Sequence, residues 1–334
     1  MVTSMKSTAI ANSNIALVKY WGKRNEKLIL PHNSSISLTL DGLYTTTTVE
    51  FSPKYKKDEL SIDEQKIEGE ELQRATGQLN LIRKMGKTSE FCKIESKSNF
   101  PKSAGLASSA SAFAALSLAA TKALDLHLTA KDLSVLARQG SGSACRSIYG
   151  GFAEWMRGTH EDGSDSYAKQ IAPQDHWPEL AMVVSVVTSK EKKIKSRAGM
   201  AQTVANSPFY KAWRETVDLD LQKVREGILE KNFTLLGSTS ELNALKMHAT
   251  MHTTTPHIIY WEPETITMMK EVMAMREDGI ECYFTIDGGP QVKILTLERN
   301  VKAVQKRVQE MKEVQKIYVC HAGSGARVIG KGLF

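Results

Sequence analysis

The stretch FPKSAGLASSASAFAALSLAA, Phe100 to Ala120, limits the possible folds more than any other part of the chain. A proline and one glycine give way to serines and alanines, which harden into an apolar helix. Such a helix start has two readings. Small side chains let a helix pack tightly against a neighbour. A helix N-terminus also leaves backbone N–H groups unpaired and carries a partial positive charge, so it is a ready anion site. On that reading Gly105 lets the backbone approach a phosphate, Ser108 and Ser109 add hydroxyl donors or a magnesium ligand, and Pro101 stiffens the approach. The loop is not a Walker A motif, which needs GxxxxGK[ST]. MGKTS at Met85–Ser89 imitates the end of one, but Leu81 stands where its first glycine belongs. No GxGxxG dinucleotide fingerprint is present either.

A length of 334 residues suggests two domains, and 41% apolar residues supply ample core. No run of eighteen apolar residues exists, so no membrane partner is expected. The N-terminus lacks the apolar centre of a signal peptide. The four cysteines are scattered without a CxxC pair, which fits free thiols in a reducing cytoplasm better than zinc or disulfides. The net charge of +7 fits a site that collects several phosphates and a carboxylate. Basic residues are dispersed and do not interleave with aromatics, so no nucleic-acid partner is expected.

The β-branched TTTTVEF predicts a strand, and Leu72, Ala75, Leu79 and Ile82 predict a helix over Glu70–Lys84. Thr129 and Asp132 predict a capped helix start. FAEW and LAMVVSVV read as strands, and Ile266, Met269 and Met273 as one helix face. ECYFTI and VKILTL are strands flanking DGGPQ, which as an Asp-Gly hairpin signal is a turn. The absence of regular βαβ alternation argues for α+β layers.

Several blocks carry a resemblance. PKSAGLASSASAFAAL resembles the phosphate loop of the GHMP kinase superfamily. NIALVKYWGKRNEKLILPHNSSISLTL, SGSACRSIYGGFAEW, SRAGMAQTV, MHATMHTTTPHIIYW and FTIDGGP resemble, in order, the blocks of the mevalonate diphosphate decarboxylase family. The resemblance spans nearly the whole chain. It implies a two-domain α+β sandwich with the active site in the cleft between domains. Residues 1–187 would form the ATP-binding domain and 188–334 a ferredoxin-like C-terminal domain. It implies ATP-dependent decarboxylation of mevalonate 5-diphosphate to isopentenyl diphosphate through phosphorylation of the 3-hydroxyl, with ATP and Mg2+, in a cytoplasmic homodimer. Alternatives are decarboxylation of the monophosphate, a 3-kinase that stops after phosphorylation, and a non-catalytic basic binder of RNA or protein.

By the same resemblance Asp287 accepts or orients the proton of the 3-hydroxyl, with Lys19 close by to keep it ionised. Tyr20, Trp21, Gly22 and Lys23 form the block that meets the distal phosphate. Ser141, Gly142, Ser143, Ala144, Cys145 and Arg146 offer an oxyanion nest and a two-pronged grip on the substrate carboxylate. Ser196 or Arg197 meets the diphosphate. Ser103, Ala104, Gly105, Leu106, Ala107, Ser108 and Ser109 cradle the nucleotide, with Ser109 a magnesium ligand. His248 and His252, four apart, lack the HExxH glutamate and read as packing near the site. The chain departs from the family pattern in several places, among them Asn12-Ser13, where members commonly carry a proline before the NIA block, and Gln291, where they carry an asparagine. Gly288 replaces an alanine after the aspartate. Glu70 stands near where some members carry an arginine for the tail phosphates, which leaves the phosphate count open.

Overall fold

The computed structural model describes residues 5–100, 108–187, 193–312 and 314–334. Its first half runs β1 (Lys6–Val18), β2 (Lys23–Asn25), β3 (Leu30–Pro31), β4 (Ser35–Phe51), β5 (Glu59–Ile62), β6 (Gln65–Ile67), α1 (Glu70–Gly86), β7 (Cys92–Ser98), α2 (Ser108–Ala123) and α3 (Ala130–Gly140). A 3-10 helix at Gly142–Ile148 follows, then β8 (Phe152–Trp155), β9 (Ala168–Ala172) and β10 (Leu180–Val186). The second half runs α4 (Ser196–Asn206), α5 (Tyr210–Leu229), α6 (Phe233–His252), α7 (Pro263–Glu277), β11 (Cys282–Thr285), β12 (Lys293–Leu297), α8 (Glu298–Gln309), β13 (Lys316–Cys320) and β14 (Arg327–Ile329).

Two large sheets and a small β2–β3 ribbon organise these elements. The first has the order β14-β1-β4-β7-β5-β6, with β8 pairing β4 and β9. All its pairs are antiparallel except β5 with β7. The second has the order β11-β12-β10-β13 and is antiparallel throughout. The architecture is the expected two-domain α+β arrangement. The boundary was expected at 187–188; β10 pairs on both sides with strands of the second sheet, so the change of sheet falls before Leu180. The chain also returns, because β14 adds to the first sheet beside β1.

Strand β1 is buried over almost its whole length and is central to both cores. Ala9 and Ala11 meet the alanines of α2 in one core. Ile15 and Leu17 meet Trp213, Leu236 and Met247 of the second half in the other. The composition of α2 follows from this placement. It lies against β1 and β4, where alanines let it come close, and the buried Ser111 hydroxyl bonds Thr45 at 2.8 Å. Thr129 caps α3 as expected, accepting from the Asp132 backbone. On α7 the buried stripe is Thr265, Met268, Met269, Val272 and Met275. Ile266 and Met273 are largely exposed. The helical spacing was right, but the stripe begins one residue earlier, at Thr265, whose hydroxyl bonds the Pro290 carbonyl.

Candidate active site

Two register shifts interrupt the pairing of β1 with β4, at Asn12/Asn14 and at Ala16/Val18. Such bulges re-aim side chains out of a ladder. Here they turn Asn14, Ala16 and the residue after the strand, Lys19, toward a cleft of about 630 Å3 between the two halves. The opposite wall carries Met200, Met247, Asp287 and Gly288.

Asp287 lies on the connection between β11 and β12, which pair antiparallel. The hairpin and the site are therefore the same feature. Its Oδ1 accepts from Lys19 Nζ at 2.8 Å, and Lys293 Nζ lies 3.4 Å from Oδ2. Lys19 and Lys293 are almost wholly buried, at 1% and 0% side-chain exposure, while Asp287 keeps 25%. Burial alone would push the Asp287 carboxyl up, but Lys19, Lys293 and Arg146 outweigh it and hold it well below the usual carboxylate range. Burial brings Lys19 down to about 8 despite its partner Asp287. Sequence reasoning missed Lys293. A lysine inside the otherwise uncharged strand VKILTL is the one signal that could have found it.

Arg146 is buried beside them. Its Nε donates to Asn14 Oδ1 at 3.2 Å and its Nη1 to Ser35 Oγ at 2.6 Å. Asn14 in turn donates to the Ser143 carbonyl and the Ser147 hydroxyl. The guanidinium plane is thus fixed by neutral partners. Arg146 forms no ion pair among the described residues, which leaves its charge for a ligand.

Lys19, Tyr20, Trp21, Lys23, Ser108, Ser109, Ser141, Gly142, Ser143, Arg146, Ser196, Arg197 and Asp287 all line the cleft. Three expected site residues do not. Ala144 and Cys145 are fully buried, each in a hydrophobic cluster, and burial pushes the Cys145 thiol up to about 12. Gly22 also stands back from the cleft. Its φ of +97° and its contact with Tyr210 require a residue without a side chain. Ser103, Ala104, Gly105, Leu106 and Ala107 lie outside the described residues.

Sequence reasoning also passed over an arginine in the cleft. Arg74, one turn beyond Glu70 on α1, lines the cleft and donates to the Gly140 carbonyl at 3.3 Å. Glu70 instead pairs with Lys195 at 3.1 Å. Among the described residues no group of three His, Cys, Asp or Glu is placed to hold a metal. A hard cation here would therefore ride on ligand phosphates, with a hydroxyl such as that of Ser109 completing its shell. Ser109 Oγ lies 3.2 Å from Ser141 Oγ at the cleft wall. His248 and His252 pack with Trp261, as expected of a helix near the site.

Two layered halves around a cationic cleft, with one carboxylate clasped by buried lysines, define a phosphoryl-transfer enzyme of the GHMP kinase type. Two family profiles match: a diphosphomevalonate decarboxylase-like N-terminal domain over residues 11–168 and a mevalonate 5-diphosphate decarboxylase C-terminal domain over 182–329. The chain belongs to the diphosphomevalonate decarboxylase family. It is 37% identical to the diphosphomevalonate decarboxylase of Ganoderma lucidum, covering 90% of this chain and 80% of that one. It is 36% identical to the human enzyme of that name, covering 88% and 77%. Among solved structures, the mevalonate diphosphate decarboxylase of Staphylococcus aureus superposes with a TM-score of 0.93 at 41% identity, covering 98% of this chain and 99% of that one. A complex of the protein called MDDEF with MVAPP, AMPPCP and magnesium gives 0.92 at 43% identity, covering 98% and 100%.

Proposed function

We propose that this chain is an ATP-dependent decarboxylase that converts mevalonate 5-diphosphate to isopentenyl diphosphate, phosphate and CO2. The observation that carries this reading is the Lys19–Asp287–Lys293 cluster in a cleft that also holds Arg74, Arg146 and Arg197, none of which forms an ion pair among the described residues.

The tertiary 3-hydroxyl is a poor leaving group, and phosphorylation makes it a good one. Asp287, held ionised, accepts the hydrogen bond of that hydroxyl and aims its oxygen at the nucleotide's γ-phosphoryl group. A carboxylate this acidic is a weak base. It therefore takes the proton late, as the forming O–P bond makes the hydroxyl acidic. Lys19 offsets charge at the same point. Arg146 grips the substrate carboxylate and fixes the C–C bond that breaks. Loss of phosphate and CO2 then leaves the double bond, with the electrons of the C–C bond displacing the phosphate. Arg74, Arg197 and Lys23 take the diphosphate tail, with Tyr20 and Ser196 beside them. Ser108 and Ser109, at the start of α2, face the nucleotide. Magnesium carried on the ATP phosphates supplies charge neutralisation there.

Incubation with mevalonate, its monophosphate and its diphosphate, each with Mg-ATP, tests the reading. ADP and CO2 in equal amounts from the diphosphate are expected. ADP without CO2 would make the chain a kinase, and turnover of the monophosphate alone would shift the substrate. We further propose a homodimer working in the cytoplasm. Four buried free cysteines support the reducing compartment, and light scattering reads the oligomeric state.

A further inference from the structure

Lys19 and Asp287 lie far apart in sequence, yet helix α6 holds the main chain of both. Asn243 Oδ1 accepts from the Lys19 backbone N–H at 2.8 Å. His248, five residues along α6, donates from Nε2 to the Asp287 carbonyl at 2.8 Å. A carbonyl only accepts, so Nε2 carries the proton. Asn243 and His248 are both fully buried. Neither lines the cleft.

The contact with Lys19 falls where the sheet stops supporting the chain. Lys19 lies one residue past β1 and outside its pairing with β4, so its backbone polar groups need partners from elsewhere. Asn33 Nδ2 meets the carbonyl at 2.9 Å, and Asn243 meets the N–H. An asparagine amide can face either way, and here a carboxylate decides. Asp220, buried on α5, accepts from Asn243 Nδ2 at 2.7 Å. That contact leaves only Oδ1 for Lys19. Lys246, three residues after Asn243, holds Asp220 at 2.9 and 3.0 Å. A chain of charge and hydrogen bonds thus runs from α5 through α6 to the peptide of Lys19.

We propose that α6 sets the spacing of the reacting groups: Asn243 and His248 are positioning residues that hold Lys19 against Asp287, and Asp220 fixes the sense in which Asn243 bonds. The proposal rests on the reading of Lys19 and Asp287 given above. Its physical basis is that misplacement of a reacting group by about 1 Å can cost ~100-fold in rate. A buried polar network that served stability alone would be replaceable by apolar packing.

The test uses Asn243→Ala and Asp220→Asn in the full chain, with Asp287→Asn alongside. Steady-state constants, melting temperature and the pH profile of kcat/KM are measured. The charged groups that face Lys19 are Asp287, Lys293 and Arg146. Burial lowers the Lys19 ammonium and Asp287 raises it, so a Lys19 that slips from its partner titrates at lower pH. For Asn243→Ala we expect kcat to fall roughly 10- to 100-fold. KM for both substrates should stay within about threefold, and the basic limb should move to lower pH. A lower melting temperature with unchanged kcat and an unchanged basic limb would mean a merely structural role and would overturn the proposal. If Asn243→Ala does not fold, Asp220→Asn keeps the shape and removes the charge that sets the amide. Its kcat and basic limb should shift in the same directions, and no shift would again overturn the proposal. An inactive Asp287→Asn beside a wild-type Asn243→Ala would remove only this proposal, whereas an active Asp287→Asn would remove the underlying reading too.

Discussion

Arg74 of α1 and Arg197 of α4 donate to the same acceptor, the carbonyl oxygen of Gly140, at 3.3 and 3.1 Å. Neither forms an ion pair among the described residues. Burial, and then the nearby Arg197, bring the Arg74 guanidinium down to about 10. Two cations share one neutral oxygen, so an anion lodged between them relieves their repulsion. Replacing either by alanine should therefore raise KM for the phosphorylated substrate by about 10- to 100-fold, the loss of one charge-assisted contact. KM for ATP should stay within about twofold. Initial rates across both substrate ranges check this, and equal changes in the two KM values would place the pair elsewhere.

Asp287→Asn removes the one negative charge between Lys19 and Lys293. The shape is kept, but the amide neither takes a proton nor balances two buried ammonium groups. Turnover should fall by about 10²–10⁴-fold, the usual size of a lost proton acceptor. ATP binding should persist, since the start of α2 is untouched. Breaking a buried pair on one side also costs stability, about 3 kcal/mol or more. Rates of CO2 and ADP release, nucleotide titration and a thermal melt separate these effects. Substantial residual turnover would remove Asp287 from its role.

The pH dependence follows from Lys19. Its folded value lies near 8, below the ordinary lysine value, because burial outweighs Asp287. The charged form is the working one, so kcat/KM should be level below about pH 8 and fall as pH rises through it. Asp287 is held well below the usual range, so it gives no inflection near neutrality. Once anionic substrates are bound they favour the ammonium, and the limb in kcat should lie higher than that in kcat/KM. A rate that stays level to pH 10 in both parameters would mean that the Lys19 charge is not required.

How far the sequence reached depends on what each residue must do. Lys19, Arg146 and Asp287 were legible because short blocks around them tie residue type to chemistry. The helix starts at Glu70 and Ala130 followed from spacing and from the Thr129 cap. Lys293 was not legible as a partner, because its β12 position reads as core and only the folded hairpin brings it to Asp287. Arg74 was not legible, because the spacing of Leu72, Ala75, Leu79 and Ile82 marks α1 as a packing helix, and only the fold shows that the position one turn past Glu70 lines the cleft. Ala144 and Cys145 travelled with their block, but the 3-10 helix at Gly142–Ile148 turns them inward while Ser141 and Ser143 face the cleft. The boundary was legible only to within a strand, because β10 looks the same whichever sheet it joins. Strand pairing is a non-local fact.

Gly22 illustrates a block residue that belongs to the site's support. Its φ is +97°, and a Cβ there would lie 2.0 Å from Tyr210 Oη and 2.8 Å from Val204 Cγ2. Tyr210 is not free to yield. Its hydroxyl donates to the Trp21 carbonyl at 3.0 Å and lies 2.7 Å from His32 Nδ1, and its ring is buried in the larger core. Gly22→Ala therefore combines about 1 kcal/mol or more of left-handed strain with about 1–3 kcal/mol of overpacking. For a chain of this length the melting temperature should drop by roughly 3–6 °C. The peptide between Trp21 and Lys23 carries the strain, so KM for the phosphorylated substrate should rise before kcat changes. A variant that melts with the parent and keeps its KM would show that Tyr210 gives way, and Gly22 would then be dispensable.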